Sequence, residues 1–412
     1  MKSSELIGKK IVIAPFSTEA ILLYHFLKHD GVEVLAFMDK DKSLHSSHYL
    51  GTPIFPYIHF EEDGVNVITT KPGYVEEDVI RNELLYVGYD QDDILRENEI
   101  EFQSDLSQIK ELVDFAGLSG IRDGFWMRLL KRKLNGYGGS QCFSITALHL
   151  VLTTRCTLKC KDCVNLMDYF QQKDQRDIAF DTIQSSFDRL MKRVDYINSI
   201  LPIGGEPFLY KEIDKLLQLL VSEKYTKKVG DILIVTNGTV VPKKSTLEIL
   251  GEHRDMFRIW VTDYKRLSPK KLEIFSLLNQ YGCDYKNHIH ESWYLTNQPV
   301  TPPEDLRMEE VKAKCDMCDC CNGGRVRLVG DRVYPCHFLA FAALSHLIPE
   351  DKRDYFDISQ DNFDTESLRK FFLDVHPGKA YCGSPWNRVE ETSVLIPIGE
   401  QLSAPRECVR YE

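Results

Sequence analysis

The stretch "TTRCTLKCKDCVNL", residues 153 to 166, sets Cys156, Cys160 and Cys163 within eight positions. In a chain expected to fold in a reducing compartment, disulfide stapling does not explain such crowding, and metal ligation does. A structural zinc site closes with four protein ligands, so a trio spaced three and two is incomplete for it. An iron–sulfur cube held by three thiolates leaves one iron open to an exogenous ligand, and chemistry can happen at that iron.

A second group of thiols, Cys315, Cys318, Cys320, Cys321 and Cys336, lies in "KCDMCDCCNGGRVRLVGDRVYPCH", residues 314 to 337. The run "RVRLVGDRVYPC" alternates around a Gly-Asp turn, which predicts a hairpin that ends by presenting Cys336. Five local thiols exceed the four a cube needs. Cys315, Cys318, Cys321 and Cys336 are the favoured ligands, and a zinc knuckle is the alternative, since Cys-x-x-Cys with two more cysteines is also zinc spacing. Cys142 and Cys283 read as core thiols.

The elements that must carry the first trio follow from hydrophobic alternation. Strands are predicted at 148–154, 196–205, 231–238, 257–264 and 284–290, with helical patterns between them. Repeated strand and helix units without a glycine-rich phosphate loop suggest a full or partial barrel, whose chemistry gathers at the C-terminal strand ends. The three cysteines follow the first of these strands. The next ends in "IGGEP", with Gly204, Gly205, Glu206 and Pro207. Glycines there permit close backbone approach, and a carboxylate accepts from an ammonium. The two after that end in "TNGT", with Thr236, Asn237 and Thr239, and "VTDY", with Thr262, Asp263 and Tyr264.

"CTLKCKDC" resembles the CxxxCxxC motif of radical S-adenosylmethionine enzymes, and "GGEP" resembles that family's methionine-binding segment. The resemblance implies a [4Fe–4S] cluster on Cys156, Cys160 and Cys163, closed by the amino and carboxylate groups of S-adenosylmethionine. It implies reductive cleavage to a 5′-deoxyadenosyl radical that takes a hydrogen atom from substrate, with an external electron donor such as flavodoxin or ferredoxin. Gly204, Gly205, Glu206 and Pro207 would contact the cofactor, as would Thr236, Asn237, Thr262 and Asp263. Relatives usually place an aromatic residue before the third cysteine, against the adenine; this chain has Asp162.

Residues 314 to 337 resemble the start of an accessory cluster domain of the SPASM or twitch type, which implies a second, auxiliary [4Fe–4S] cluster. Five residues separate Gly330 from Cys336 where relatives usually have four. Cys320, Cys382 or Cys408 would be the catalytic thiol that returns a hydrogen atom, the role that makes some relatives epimerases.

The chain opens with a strand at 9–14, a helical pattern, a strand over "VEVLAFMD" and a third at 65–70, with "LLYVGYD" closing the unit near residue 90. This alternation reads as a small parallel, doubly wound sheet. The first turn, "APFSTEA", lacks the dinucleotide glycine fingerprint. Asp39 ends the second strand, where a ribose-binding acid would sit, although an Asp there is more often loop chemistry. The region resembles the N-terminal Rossmann-like domain of sugar O-acyltransferases of the sialic-acid type.

Composition bounds the rest. The 412 residues, 43% hydrophobic and 27% charged, suit a globular chain of two or three domains. A net charge of −11 argues against a nucleic-acid or anionic-membrane footprint. No apolar run is long enough to span a membrane and the N-terminus lacks a signal-peptide core, so the expected location is cytoplasmic.

The expected fold is α/β, with a Rossmann-like parallel sheet at 1–105, a helical linker at 106–140, a partial (β/α)6 barrel at 141–300 and a cysteine-rich auxiliary domain at 301–412. The expected function is a radical enzyme, an oxidoreductase or isomerase, acting on a carbohydrate or nucleotide-sugar by epimerisation or dehydrogenation in glycan biosynthesis. A peptide maturase or enzyme activator is the alternative, though the first ninety residues do not read as a leader-binding winged helix. A non-catalytic zinc or iron–sulfur protein would have no use for the GGEP segment.

Overall fold

A computed structural model describes residues 1–62, 64–70, 77–113, 130–131, 133–134, 143–289, 292–294, 325–373, 395–407 and 410–411. The chain divides into two compact units, Met1–Gly138 and Gly139–Glu412.

The first unit is built on a six-stranded sheet. Its strands are β1 (Lys10–Ala14), β2 (Val34–Met38), β3 (His48–Tyr49), β4 (Thr52–Phe55), β5 (Val65–Thr69) and β6 (Ile94–Arg96), in the order β3-β4-β2-β1-β5-β6. All neighbours are parallel except β3 and β4. β1 is buried from Ile11 to Ala14 and β5 along its whole length because both faces are covered, as parallel sheets require. Ser17 caps the helix Thr18–His29 by accepting from Ala20 N at 3.1 Å.

The start of "LLYVGYD" belongs to the helix Glu77–Val87. Ile80 and Leu84, four apart, face the core while Leu85 and Tyr86 are exposed, so the period there is helical. Ile109, Val113, Leu130 and Leu134 pack into this unit's core, although the sequence reading assigned their segment to a linker. Asp39 serves its own loop, where Oδ1 accepts from Asp41 N at 2.8 Å.

The second unit is a nine-stranded sheet. Its strands are β7 (Ser144–Ile145), β8 (Ala147–Thr153), β9 (Tyr196–Gly204), β10 (Val229–Thr236), β11 (Phe257–Thr262), β12 (Tyr285–His288), and, past the short β13 (Ser292–Tyr294), β14 (Arg325–Val329), β15 (Arg332–Tyr334) and β16 (Phe356–Asp357). The order is β12-β11-β10-β9-β8-β14-β15-β16, with β7 beside β9. β8 to β12 are parallel to their neighbours, and β14 joins β8 in parallel. The strand ends after β8, β9, β10 and β11 therefore share one rim.

Helices Phe180–Met191, Ile213–Leu220, Lys244–Glu252 and Lys271–Gln280 cover one face and bury Ile183, Phe187, Leu216, Leu250 and Ile274 against Leu150, Ile200, Ile232 and Ile259. Cys283 is buried in that core, as expected of a core thiol. β17 (Leu395–Pro397) pairs with β13. Among the described residues no helix is long and apolar enough to cross a membrane.

Candidate functional site

The three-thiol loop starts where β8 ends and is tied to the end of β9. Gly205 N donates to Thr153 O at 3.0 Å, and Glu206 N donates to Arg155 O at 2.9 Å. Gly204 has φ +148°, and a side chain at Gly205 would meet Arg155 O at 2.0 Å. The glycine pair is what lets the strand end lie this close to the loop. Arg155, beside Cys156, is fixed by a two-pronged contact to Asp177, Nε to Oδ1 at 2.9 Å and Nη2 to Oδ2 at 2.8 Å.

Cys156, Cys160 and Cys163 share one space with Glu206 and Tyr264. Burial first, and then the charges of these four groups, push the Tyr264 phenol far above its ordinary range. Burial pushes the Cys156 thiol up to about 12, Cys160 upward, and Cys163 further still, with neighbouring thiols adding to the effect at Cys156 and Cys163. Amide groups point at the sulfurs. Gln401 Nε2 lies 3.0 Å from Cys160 Sγ, and Leu158 N and Asn237 Nδ2 lie 3.5 and 3.6 Å from Cys156 Sγ. Buried sulfur with aimed N–H donors suits an iron–sulfur cluster, whose sulfurs accept such bonds. Among the described residues no group of three or more His, Cys, Asp and Glu side chains is arranged to hold a single metal ion.

Glu206 is fully buried. Its carboxylate accepts from Thr236 Oγ1 and Asn237 N, each at 2.8 Å, and from Phe208 N at 3.2 Å. Burial outweighs these bonds and raises its carboxyl to about 7. Pro207 opens the short turn Pro207–Leu209 that Glu206 caps. Thr262 is buried at the end of β11. Asp263 accepts from Lys271 Nζ at 2.5 Å and from Lys265 N at 2.8 Å, so its carboxylate is engaged within the protein.

Two features escape sequence reading. Asp162, in the position where an aromatic residue was the norm, is a buried residue with φ +57° that accepts from Arg406 Nη2 at 2.6 Å. Arg406 also meets Asp168 Oδ2 at 3.0 Å. The segment 400–402 runs along the thiol loop, with Lys161 N donating to Glu400 O at 2.7 Å and Leu402 N to Lys159 O at 2.9 Å. No spacing or motif marks these partners.

The hairpin β14–β15 brings Cys336 to the start of the helix His337–Leu344, against the cluster of Val151, Tyr169, Val329 and Phe338 that also carries Cys156 and Cys163. Next to it, His337 Nδ1 accepts from Arg327 Nε at 3.2 Å while its Nε2 meets Asn165 Oδ1. Asn165 Nδ2 in turn donates to Gly204 O at 2.5 Å. Cys142, Cys315, Cys318, Cys320, Cys321, Cys382 and Cys408 lie outside the described residues.

Residues 134–256 match the family described as a 4Fe-4S single cluster domain. A [4Fe–4S] cluster is accordingly a cofactor of the second unit. Among solved structures, the chain is similar to BtrN in complex with AdoMet and 2-DOIA, at 15% identity and a TM-score of 0.37, covering 58% of this chain and 92% of that one. It is similar to native anSMEcpe with bound AdoMet at 14% identity and a TM-score of 0.36, covering 54% and 80%. For Streptococcus suis SuiB bound to precursor peptide SuiA the values are 20%, 0.28, 42% and 37%. Likenesses this weak carry no functional argument. No curated protein matches the chain.

Proposed function

We propose that the chain is a radical S-adenosylmethionine enzyme acting on a carbohydrate or nucleotide-linked sugar. One observation carries the reading. A fully buried glutamate, Glu206, stands at the same strand-end rim as three clustered thiols. A cluster held for its own sake needs no such carboxylate.

What the cluster and S-adenosylmethionine supply when bound is reductive cleavage to methionine and a 5′-deoxyadenosyl radical able to take a hydrogen atom from substrate. The protein's part is to hold and orient. Cys156, Cys160 and Cys163 would hold the cluster, leaving one of its irons open to the methionine amino and carboxylate groups. Glu206, oriented by Thr236 and Asn237, would accept from an N–H of the methionine amino group. Gly204, Gly205 and Pro207 shape the backbone beside it, and Thr262 and Asp263 line the next strand end.

Cys336, with Cys315, Cys318 and Cys321, is proposed to hold an auxiliary cluster of the SPASM or twitch type, and Cys320, Cys382 or Cys408 to return hydrogen if the outcome is epimerisation. A partial barrel in the second unit fits its parallel strand order. The sugar assignment rests on the first unit's resemblance to sugar-modifying proteins, and reduction by flavodoxin or ferredoxin fits the cluster chemistry.

Replacing Cys156, Cys160 and Cys163 together by Ala should abolish 5′-deoxyadenosine formation under anaerobic, reducing conditions while the chain stays folded by circular dichroism. Glu206→Ala should weaken S-adenosylmethionine binding about tenfold to a hundredfold, the loss of one charge-assisted contact of roughly 1.5 to 3 kcal/mol. Retained cleavage in the triple variant overturns the reading.

A further inference from the structure

The peptide between Gly204 and Gly205 has no side chain on either side, so sterics hold its plane less firmly than that of a peptide flanked by side chains. Both of its polar groups are fastened. Its N–H, on Gly205, donates to Thr153 O at 3.0 Å at the end of β8. Its C=O, on Gly204, accepts from Asn165 Nδ2 at 2.5 Å. Asn165 stands two residues past Cys163 and directs its backbone N–H at that sulfur. Glu206 is the next residue after this peptide, so the direction of its carboxylate depends on the peptide plane.

The Asn165 amide is itself held. Its Oδ1 meets Nε2 of His337, whose Nδ1 lies 3.2 Å from Arg327 Nε. The two ends of this chain fix every bond direction within it. A guanidinium can only donate, so His337 Nδ1 is the acceptor and bears no proton, and Nε2 carries the ring N–H. That N–H donates to Asn165 Oδ1, which leaves Nδ2 facing Gly204 O, a group that can only accept. Arg327 is fixed in turn, donating from Nη1 to Arg325 O at 3.0 Å and Pro335 O at 3.2 Å on the two flanks of the hairpin β14–β15. It is 2% exposed and His337 6%, so water competes little at that end. Each link agrees with the next, from a buried arginine on β14 to the glycine peptide that ends β9.

We propose that Asn165 is a positioning residue for S-adenosylmethionine, locking the Gly204–Gly205 peptide that aims Glu206, and that His337 sets the Asn165 amide. The hairpin β14–β15 thereby acts on the cofactor's strand end at one remove. Rotation of the glycine peptide is the motion that the chain prevents, since without Asn165 the bond to Thr153 alone fixes its plane. The inference rests on the proposed function and adds to it two residues that act through the backbone beside the cofactor.

Calorimetry with S-adenosylmethionine on the anaerobically reconstituted full chain reads the effect, together with iron content and the electron paramagnetic resonance signal of the reduced cluster. Asn165→Leu and His337→Phe should each weaken binding about threefold to tenfold, the loss of one internal hydrogen bond. Each should also change the shape of the signal at saturating cofactor, at an iron content like the parent's. His337→Gln should keep affinity near the parent's, because its amide offers an acceptor to Arg327 and a donor to Asn165. The double variant Asn165→Leu/His337→Phe should bind no more weakly than the weaker single one, since both break the same chain. Should Asn165→Leu fail to take up iron, the two His337 variants, which leave the thiol loop unaltered, decide. The inference is overturned if His337→Phe binds like the parent, if His337→Gln is as weak as His337→Phe, or if the two losses multiply in the double variant. A parent that does not bind S-adenosylmethionine overturns the proposed function as well, whereas normal binding in both Asn165→Leu and His337→Phe overturns this inference alone.

Discussion

Gln401 Nε2 donates to Cys160 Sγ at 3.0 Å across 241 residues of chain. Its Oε1 accepts from Lys159 N at 2.8 Å, so one amide side chain spans the thiol loop at the middle cysteine. An N–H directed at a cluster sulfur favours the reduced, more negative state and raises the potential. Gln401→Leu should therefore lower the midpoint of the [4Fe–4S] cluster in a redox titration followed by electron paramagnetic resonance. An unchanged midpoint would mean that Gln401 only braces the loop.

Arg406 is the cation for two buried carboxylates, Asp162 and Asp168. Arg406→Met strands both, at a cost of about 3 to 5 kcal/mol, which lowers the melting temperature by roughly 10 °C. Burial pushes the Asp168 carboxyl up to about 6, against the pull of Arg406. A carboxyl raised in the folded state is relieved by protonation. The deficit of the variant should therefore be smaller at pH 5 than at pH 8, and a deficit independent of pH would contradict the account.

A methyl group at Gly205 would come within 2.0 Å of Arg155 O and 2.8 Å of Cys156 Cβ. Backbone and the first cysteine would both have to move. Gly205→Ala should thus lower iron content per chain while far-ultraviolet circular dichroism stays near that of the parent, and full iron loading would show that the loop tolerates the shift.

Asp30 closes the C-terminal end of the helix Thr18–His29. Burial acts to raise its carboxyl, but the bonds from Ser3 Oγ, Gln103 N and Ser104 Oγ outweigh it and hold the group below its usual value. A carboxylate depressed in the folded state adds stability that is present above its unfolded value near 3.9 and is lost as pH falls through the folded one. Asp30→Asn should destabilise the chain by about 1 to 3 kcal/mol at neutral pH. The gap from the parent should narrow below about pH 4 in acid titrations of unfolding. A gap that stays constant into acid would assign the loss to packing rather than to charge.

Local order was legible in the residues themselves. Cys156, Cys160 and Cys163 are neighbours along the chain, and alternation placed β8 to β12 and the hairpin β14–β15 within a few residues of their ends. The helical stretch over Ile80 and Leu84 was harder, because its flanking "LLYVGYD" reads without a clear period. Asp162 was visible only as a departure from a pattern. Its reason is a left-handed backbone position, which Asp tolerates, and an arginine 244 residues away. Arg406 and Gln401 have no motif because a contact between distant segments leaves no periodicity along either one. The chain of bonds from Arg327 to Gly204 shows the same division. Asn165 follows Cys163 by two residues and His337 follows Cys336 by one, and nothing along the sequence links the two. Only the pairing of β14 with β8 and of β8 with β9 brings His337, Asn165 and Gly204 side by side, because cross-strand pairing is decided by how the sheet assembles and not by any one strand.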